Sequence, residues 1–146
     1  MPGKDQTLAD TAERLHSIAV RVLRRARVAD RESGLGPAQL SVLSVLYFAD
    51  RMPITALAEA EQVSQPTMTR VVNSLVESKA ATRAPSLDDR RVQFVTISAK
   101  GRRIFEAARE RRLRIIRQVL GKLDAATVAA LLPLLHAVAD AVNARD

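Results

Sequence analysis

The fold class this chain predicts is mainly α with one short β-hairpin, and three observations predict it. Apolar residues recur at helical spacing near both ends of the chain. In the middle, two short helical segments are separated by only Glu61-Gln62-Val63. Finally, SLDDRRVQFVTIS, residues 86 to 98, places two carboxylates and two guanidiniums directly before an apolar, β-branched run that should be extended.

Each element follows in order. Thr7 is a candidate cap for a first helix in which Leu8, Leu15, Val22 and Ala29 recur every seven residues, with Ile18, Ala19 and Ala26 in the same stripe. Gly34 and Gly36 should end it. Pro37 suits the first turn of a second helix, where Leu40, Leu43, Leu46 and Tyr47 share a face, and Arg51-Met52-Pro53 should break it. Thr55 opens a short helix with Leu57 and Ala58 inward. After the three-residue connection, Ser64 caps the helix SQPTMTRVVNSLVES, whose Pro66 falls in the first turn, where a missing N–H is harmless. Met68, Val71, Val72, Leu75 and Val76 form its apolar stripe.

Residues 80 to 84 and 92 to 98 read as two strands around a tip from Pro85 to Arg91. Their alternation is imperfect, since Val92 and Phe94 point one way and Val95 and Ile97 the other. A bulge or burial of both faces is therefore expected. From Ala99 to about Gly121 the pattern is helical again, with Ile104, Phe105, Ala108, Ile115, Ile116, Val119 and Leu120 apolar. Asp124 caps a last helix with Val128, Leu131, Leu132, Leu135, Val138 and Val142 facing inward, and Pro133 inside it should kink it.

On the Ser64 helix, at about 100° per residue, Pro66, Thr69, Arg70, Asn73 and Glu77 lie opposite the apolar stripe. A short helix, a tight turn and a second helix with this polar face make a helix-turn-helix, whose second helix fits the major groove. The residue types suit base and phosphate contacts. Arg forks onto guanine, Asn and Gln pair with adenine, and hydroxyls and a helix N-terminus hold phosphate. A hairpin following such a helix is a wing, which reaches the neighbouring minor groove, where Arg meets enhanced negative potential. A carboxylate two residues before that Arg would lower its ordering cost, so Asp89 is expected to orient Arg91, Arg90 to face phosphate and Asp88 to form the turn. The module is thus a winged helix-turn-helix with a two-stranded β wing.

Composition supports and limits this reading. At 146 residues, 47% hydrophobic and 27% charged, the chain is long enough for one core. It holds no cysteine, which excludes disulfides, thiolate metal sites and thiol redox chemistry. The N-terminus MPGKDQTLAD lacks an apolar signal core and no window approaches the length of a membrane span, so a cytoplasmic protein without membrane contact is expected. Residues 81 to 122 hold twelve Lys and Arg against four Asp and Glu, which accounts for the whole +7 formal charge and points to a polyanionic partner. An enzyme fares poorly. There is no Gly-rich phosphate loop and no metal spacing, His16 and His136 are far apart in sequence, and Asp88 and Asp89 sit on an exposed hairpin. No cofactor and no metal is expected.

The sequence resembles the multiple-antibiotic-resistance regulator (MarR) family of winged-helix transcription regulators. The resemblance rests on Asp89-Arg90-Arg91 followed by Ile97-Ser98 and Gly101, similar to the family's D-R-R…L-T-x-x-G wing signature. Leu57-Ala58-Glu59, Val63-Ser64-Gln65-Pro66-Thr67, Arg70-Val71-Val72, Leu75, Arg83 and Pro85 add to it in order and spacing. It implies a homodimer built from the terminal helices, with residues 1–35 and 101–146 as dimerisation segments and 36–100 as the DNA-binding module. It implies double-stranded DNA as partner through Ser64, Gln65, Pro66, Thr67, Thr69, Arg70 and Asn73 of the recognition helix and Arg83, Asp89, Arg90 and Arg91 of the wing. A pseudo-palindromic operator and a repressor's role follow from the same resemblance. So does release by a small, often aromatic anion as effector, with His16 and Tyr47 as candidate pocket residues. The competing function is a winged-helix architectural or protein-interaction module without operator specificity. Four departures stand out: Glu61 replaces a usual apolar residue, Gln62 and Lys79 stand where Gly is common, and Ala80-Ala81 replaces a larger pair, so a looser turn and weaker packing under the wing are expected.

Overall fold

The computed structural model describes residues 3–144. In chain order it has α1 (Lys4–Asp30), a 3-10 turn (Arg31–Ser33), α2 (Pro37–Ala49), β1 (Arg51–Pro53), α3 (Ile54–Ala60), α4 (Gln65–Glu77), β2 (Ala81–Pro85), β3 (Gln93–Ile97), α5 (Ala99–Leu120) and α6 (Ala125–Asn143). Two compact units divide between Arg112 and Leu113, inside α5. The mainly α class with a winged helix-turn-helix is what the structure has, and the sheet gains a strand. Arg51-Met52-Pro53, expected only to break a helix, pairs antiparallel with β3, so the order is β1-β3-β2. Three residues are too few for alternation to show in a sequence, and Pro53 is tolerated because β1 is an edge.

The hairpin register runs unbroken from Ala81↔Ile97 to Pro85↔Gln93, so the expected bulge is absent. Val92 lies outside the strand, so of its apolar residues Phe94 alone opposes the buried face. Val95 and Ile97 enter the core, while Phe94 on the other face is half-buried, with the Arg51 guanidinium 4.1 Å from its ring centroid. Leu43 and Leu46 of α2, Leu57 of α3, Met68, Val72 and Leu75 of α4, Val95 and Phe105 form one core. Each such side chain contributes on the order of 1.5–3 kcal/mol by leaving water. Val76, assigned to the inward stripe, is exposed, because the covered arc of α4 is narrower than five positions.

Two helix starts differ from expectation. Thr7 does not cap α1. The helix begins at Lys4, and the Thr7 hydroxyl donates back to the Gly3 carbonyl at 3.4 Å, a bond open to Thr inside a helix. Likewise α3 opens at Ile54 rather than Thr55, directly after Pro53. The end of α1 is as expected, with Gly34 in the left-handed region at φ 73°. There Asp30 is buried and accepts from Arg112 Nε and Nη2 at 2.7 and 2.8 Å, while Arg111 Nε donates to the Ala29 carbonyl at 3.2 Å. These bonds fasten the end of α1 to the middle of α5, a long-range tie that helical periodicity does not report.

Asp124 caps α6 as expected, accepting from the Thr127 N–H and hydroxyl at 2.9 and 2.7 Å. Those bonds hold its carboxyl below the ordinary carboxylate value. Pro133 lies inside the helix, leaving the Ala129 carbonyl without its usual N–H donor. The inward face assigned to α6 is not buried. Val128, Leu132, Leu135, Val138 and Val142 are exposed and Leu131 is half-buried. The reason is general: periodicity identifies an apolar face and says nothing of what lies on it. The expectation that no segment reaches membrane-span length is also corrected, since α6, at 19 residues, is apolar enough by length and composition. One such helix is weak evidence for a membrane, because the core helix of a soluble protein passes the same test.

Candidate nucleic-acid interface

The α3–α4 connection is the helix-turn-helix turn. Glu61 N–H donates to the Leu57 carbonyl at 3.0 Å, Gln62 N–H to Glu59 at 3.1 Å and Val63 N–H to Ala58 at 3.0 Å. Gln62 takes φ 53°, the conformation for which glycine is the ordinary choice. The looser turn expected from the Glu61 and Gln62 departures is therefore absent, and the chain accepts a left-handed non-glycine residue to close it. Ser64 then caps α4, its Oγ receiving the Thr67 N–H at 3.4 Å and forming a hydroxyl–hydroxyl hydrogen bond with Thr67 Oγ1 at 2.9 Å.

With Met68, Val72 and Leu75 buried, Gln65, Pro66, Thr67, Arg70 and Asn73 are exposed on α4 and Thr69 is half-buried. The Thr69 hydroxyl donates back to the Gln65 carbonyl at 2.9 Å, so its proton is engaged within the helix. Behind α4, Gln39 bridges two elements. Its Oε1 accepts from the Gly36 N–H at 2.7 Å and its Nε2 donates to Ser74 Oγ at 2.7 Å. The sequence signal for that role, Gln three residues into a helix opened by Gly-Pro, is available but weak.

The far end of α4 is clamped to the sheet and α5. Lys79 adopts φ 61°, where its Cβ crowds the backbone. The carbonyls just past the end of α4 are satisfied: Ser98 Oγ donates to the Lys79 carbonyl at 2.7 Å and Lys100 Nζ to that of Ser78 at 2.7 Å. Gly101 sits so close that a Cβ there would stand 2.0 Å from the Ala80 carbonyl oxygen. Ala80 and Ala81 are fully buried, so the weak packing expected of this small pair is not seen. Their size lets α5 approach.

The wing is braced as expected at one point and differently at another. Asp89 Oδ1 accepts from Arg91 Nε at 3.1 Å and from its backbone N–H at 3.0 Å, and Oδ2 from Arg91 Nη2 at 3.3 Å. These bonds hold the Asp89 carboxyl below the ordinary carboxylate value, first through the Arg91 side chain and then through its backbone. Arg91 is nonetheless 91% exposed, a fork held rigid and presented to solvent. Asp88, expected to form the turn, does not supply the acceptor. Ser86 Oγ receives the Asp88 and Asp89 N–H groups at 3.2 and 3.5 Å. Ser and Asp are both good turn acceptors, and the tertiary geometry selects the residue closer to β2. Arg90 is exposed, and its carbonyl accepts from Gln93.

Arg83, assigned to the wing, is on β2 beside α4, and its Nη1 donates to Asn73 Oδ1 at 3.1 Å. Two residues from separate elements are thus joined, a pairing that ten intervening positions conceal. The two pocket candidates are not brought together. Tyr47 packs against Phe105 at 4.8 Å between centroids, donates to Glu106 Oε1 at 3.1 Å and carries the Arg102 guanidinium 5.7 Å above its ring. His16 lies on exposed α1 beside a shallow surface hollow with Ser17, Val20, Arg21 and Arg24. Arg102 also pairs with Asp50, which ends α2 at φ 64°.

Comparison with known proteins bears on this architecture. The MarR family pattern matches residues 35–92, the stretch from just before α2 through β2 and the wing tip. An HTH-type transcriptional regulator of Mycobacterium tuberculosis (strain CDC 1551 / Oshkosh) is 34% identical over 116 residues, covering 80% of this chain and 81% of that protein. A MarR family protein from Bacillus stearothermophilus has the same fold, with a TM-score of 0.86 at 20% identity over 98% of this chain and 100% of that one. So does a mutant of S. aureus MepR, bound in its crystal to an oligodeoxyribonucleotide, with a TM-score of 0.71 at 16% identity over 91% and 98% of the chains. Sequence likeness across most of a helix-turn-helix regulator, and a family match lying over the turn, recognition helix and first wing strand, mean that this chain belongs to the MarR family of winged helix-turn-helix transcriptional regulators.

Proposed function

We propose that this chain is a sequence-specific regulator that binds a pseudo-palindromic DNA operator as a homodimer, with residues 36–100 as the DNA-binding module and 1–35 and 101–146 as dimerisation segments. One observation carries the reading: Arg91 is held by a carboxylate through two side-chain bonds while remaining 91% exposed. A carboxylate near a polyanion is repulsive unless it pre-organises a cation, and a fixed, exposed guanidinium suits the narrow, electronegative minor groove. In this reading the exposed face of α4 lies in the adjacent major groove, with Arg70 reading a base and Ser64, Gln65 and Thr67 at the helix N-terminus meeting phosphate. Arg90 faces the backbone. The dimer is supported by apolar residues that the chain itself leaves in water, among them Ile18 at 59%, Leu15 at 48%, Leu132 at 58% and Leu135 at 53% exposure. Repression of a nearby operon and release by a small aromatic anion complete the reading. Tyr47, with a guanidinium over its ring, is the better supported of the two effector candidates.

In-vitro selection of duplexes from a random pool tests this. The expected result is an inverted repeat with half-sites about one helical turn, roughly 34–36 Å, apart, preferred by on the order of 10³-fold or more over random duplex. Uniform affinity for all duplexes would instead indicate an architectural module.

A further inference from the structure

The Asn73–Arg83 contact constrains what the recognition helix can read. A guanidinium has five N–H donors and no acceptor. Whatever faces Arg83 Nη1 across 3.1 Å must therefore be the Asn73 carbonyl oxygen, and the Asn73 amide nitrogen must be turned away from it. Normally the O and N atoms of an amide are hard to tell apart, but here the donor-only partner settles the orientation by chemistry. Both residues are exposed, Asn73 on the face of α4 that carries Arg70, so neither is fixed by the core.

We propose that Arg83 is a specificity-positioning residue that biases Asn73 toward reading as a donor in the major groove. The argument rests on the DNA-binding reading above and deepens it. A free Asn pairs with adenine through two bonds, its oxygen taking the N6 proton and its nitrogen giving to N7. Arg83 takes one of the two lone pairs of the Asn73 oxygen, and a cation carrying only donors then stands where the N6 amino group would approach, so the half of Asn73 that recognises adenine is weakened. What remains is an NH2 group that gives to acceptors, namely guanine N7 and O6, adenine N7 alone and thymine O4. Cytosine, which offers only its N4 donor in the major groove, is excluded. The general expectation that Asn selects adenine therefore does not hold at this position; guanine and thymine are preferred. Arg83 keeps its other N–H groups for phosphate, which anchors the pair against the backbone.

The test is selection from a random duplex pool with wild-type full-length protein and four variants, with a melting curve for each to confirm folding. Asn73→Ala identifies the base position that Asn73 reads, as the one whose preference collapses. At that position the wild type is expected to favour guanine or thymine and to disfavour cytosine. Arg83→Ala frees the amide oxygen, so the preference should move to adenine by roughly ten-fold, the discrimination expected of a two-bond pair. Arg83→Lys, which still donates, should retain the wild-type preference with weaker overall binding. Asn73→Asp presents an acceptor to the groove, and the preference should move to cytosine. Adenine preferred by the wild type, or an Arg83→Ala variant that loses affinity evenly with base preference unchanged, would overturn the proposal, leaving Arg83 a phosphate contact. Loss of no preference in Asn73→Ala would overturn it as well. If the wild type selects no motif at all, the DNA-binding reading itself fails, a result distinct from these.

Discussion

At the residue scale the wing tip balances two opposed charge effects. Removing Asp89 deletes a negative charge near DNA, which favours binding to any duplex, and releases Arg91, whose side-chain ordering costs up to about 1.5–2 kcal/mol. Asp89→Ala is therefore expected to leave binding to random duplex unchanged or stronger while the preference for A·T-rich flanks falls by roughly ten-fold, the two read separately in competition titrations. The pH dependence has a definite sign. Because the folded-state carboxyl is held below its ordinary value, the pairing is fully present above the unfolded value and is lost only as pH falls through the lower folded one. Titration of Asp89 therefore leaves the flank preference constant between about pH 5 and 8. The steric counterpart of this brace is Gly101. A Cβ 2.0 Å from the Ala80 carbonyl oxygen meets backbone that cannot swing away, with the Ile97 side chain 3.1 Å off, so Gly101→Ala should destabilise by at least about 1–3 kcal/mol, seen as a lower urea midpoint. The glycine of the wing signature is legible in the sequence as a motif, whereas the contact that requires it spans α5 and the residue before β2.

At the scale of elements, the helix-turn-helix is assembled against local preference at two points. Gln62 and Lys79 both hold positive φ, each flanking the recognition helix. For a residue with a Cβ this costs about 1–2 kcal/mol, partly offset because glycine loses more chain freedom on folding. Lys79→Gly should therefore stabilise the protein by about 0.5–1 kcal/mol, a rise of a few degrees in melting temperature, without altering base preference. An unchanged or lowered melting temperature would mean that the Lys79 side chain contributes more than its backbone strain costs. The family resemblance marked both positions as departures from glycine and so located the strain. That the turn nevertheless closes follows from bonds made elsewhere: Val63 to Ala58 across the turn, and Ser98, just before α5, and Lys100, in its first turn, reaching to the residues that follow α4. The strand Arg51–Pro53 escaped notice for a related reason, since its extended state depends on β3 being alongside.

For the whole molecule, the decisive feature is apolar surface at both ends of the chain that folding of one copy leaves wet. Leu15 and Leu135 are exposed and are not members of the core cluster, so substituting them should not disturb it, yet a dimer that covers these faces would bury a charge. Leu15→Glu and Leu135→Glu are each expected to shift sedimentation toward monomer at a fixed protein concentration and to weaken operator binding in parallel, by about ten-fold or more. Unaltered association by both variants would place the interface elsewhere. By itself, the sequence determined the element types, the helix-turn-helix, the wing with its Asp89–Arg91 brace, and the apolar faces of the terminal segments. These depend on spacing along the chain and on bonds between near neighbours, which a linear order records. Only the tertiary structure decided the third strand, the Asp30–Arg112 tie, the choice of Ser86 over Asp88 and the union of Asn73 with Arg83. Each of these depends on which groups remote in sequence, or competing within one turn, are brought within bonding distance, and that is set by the packing of the core.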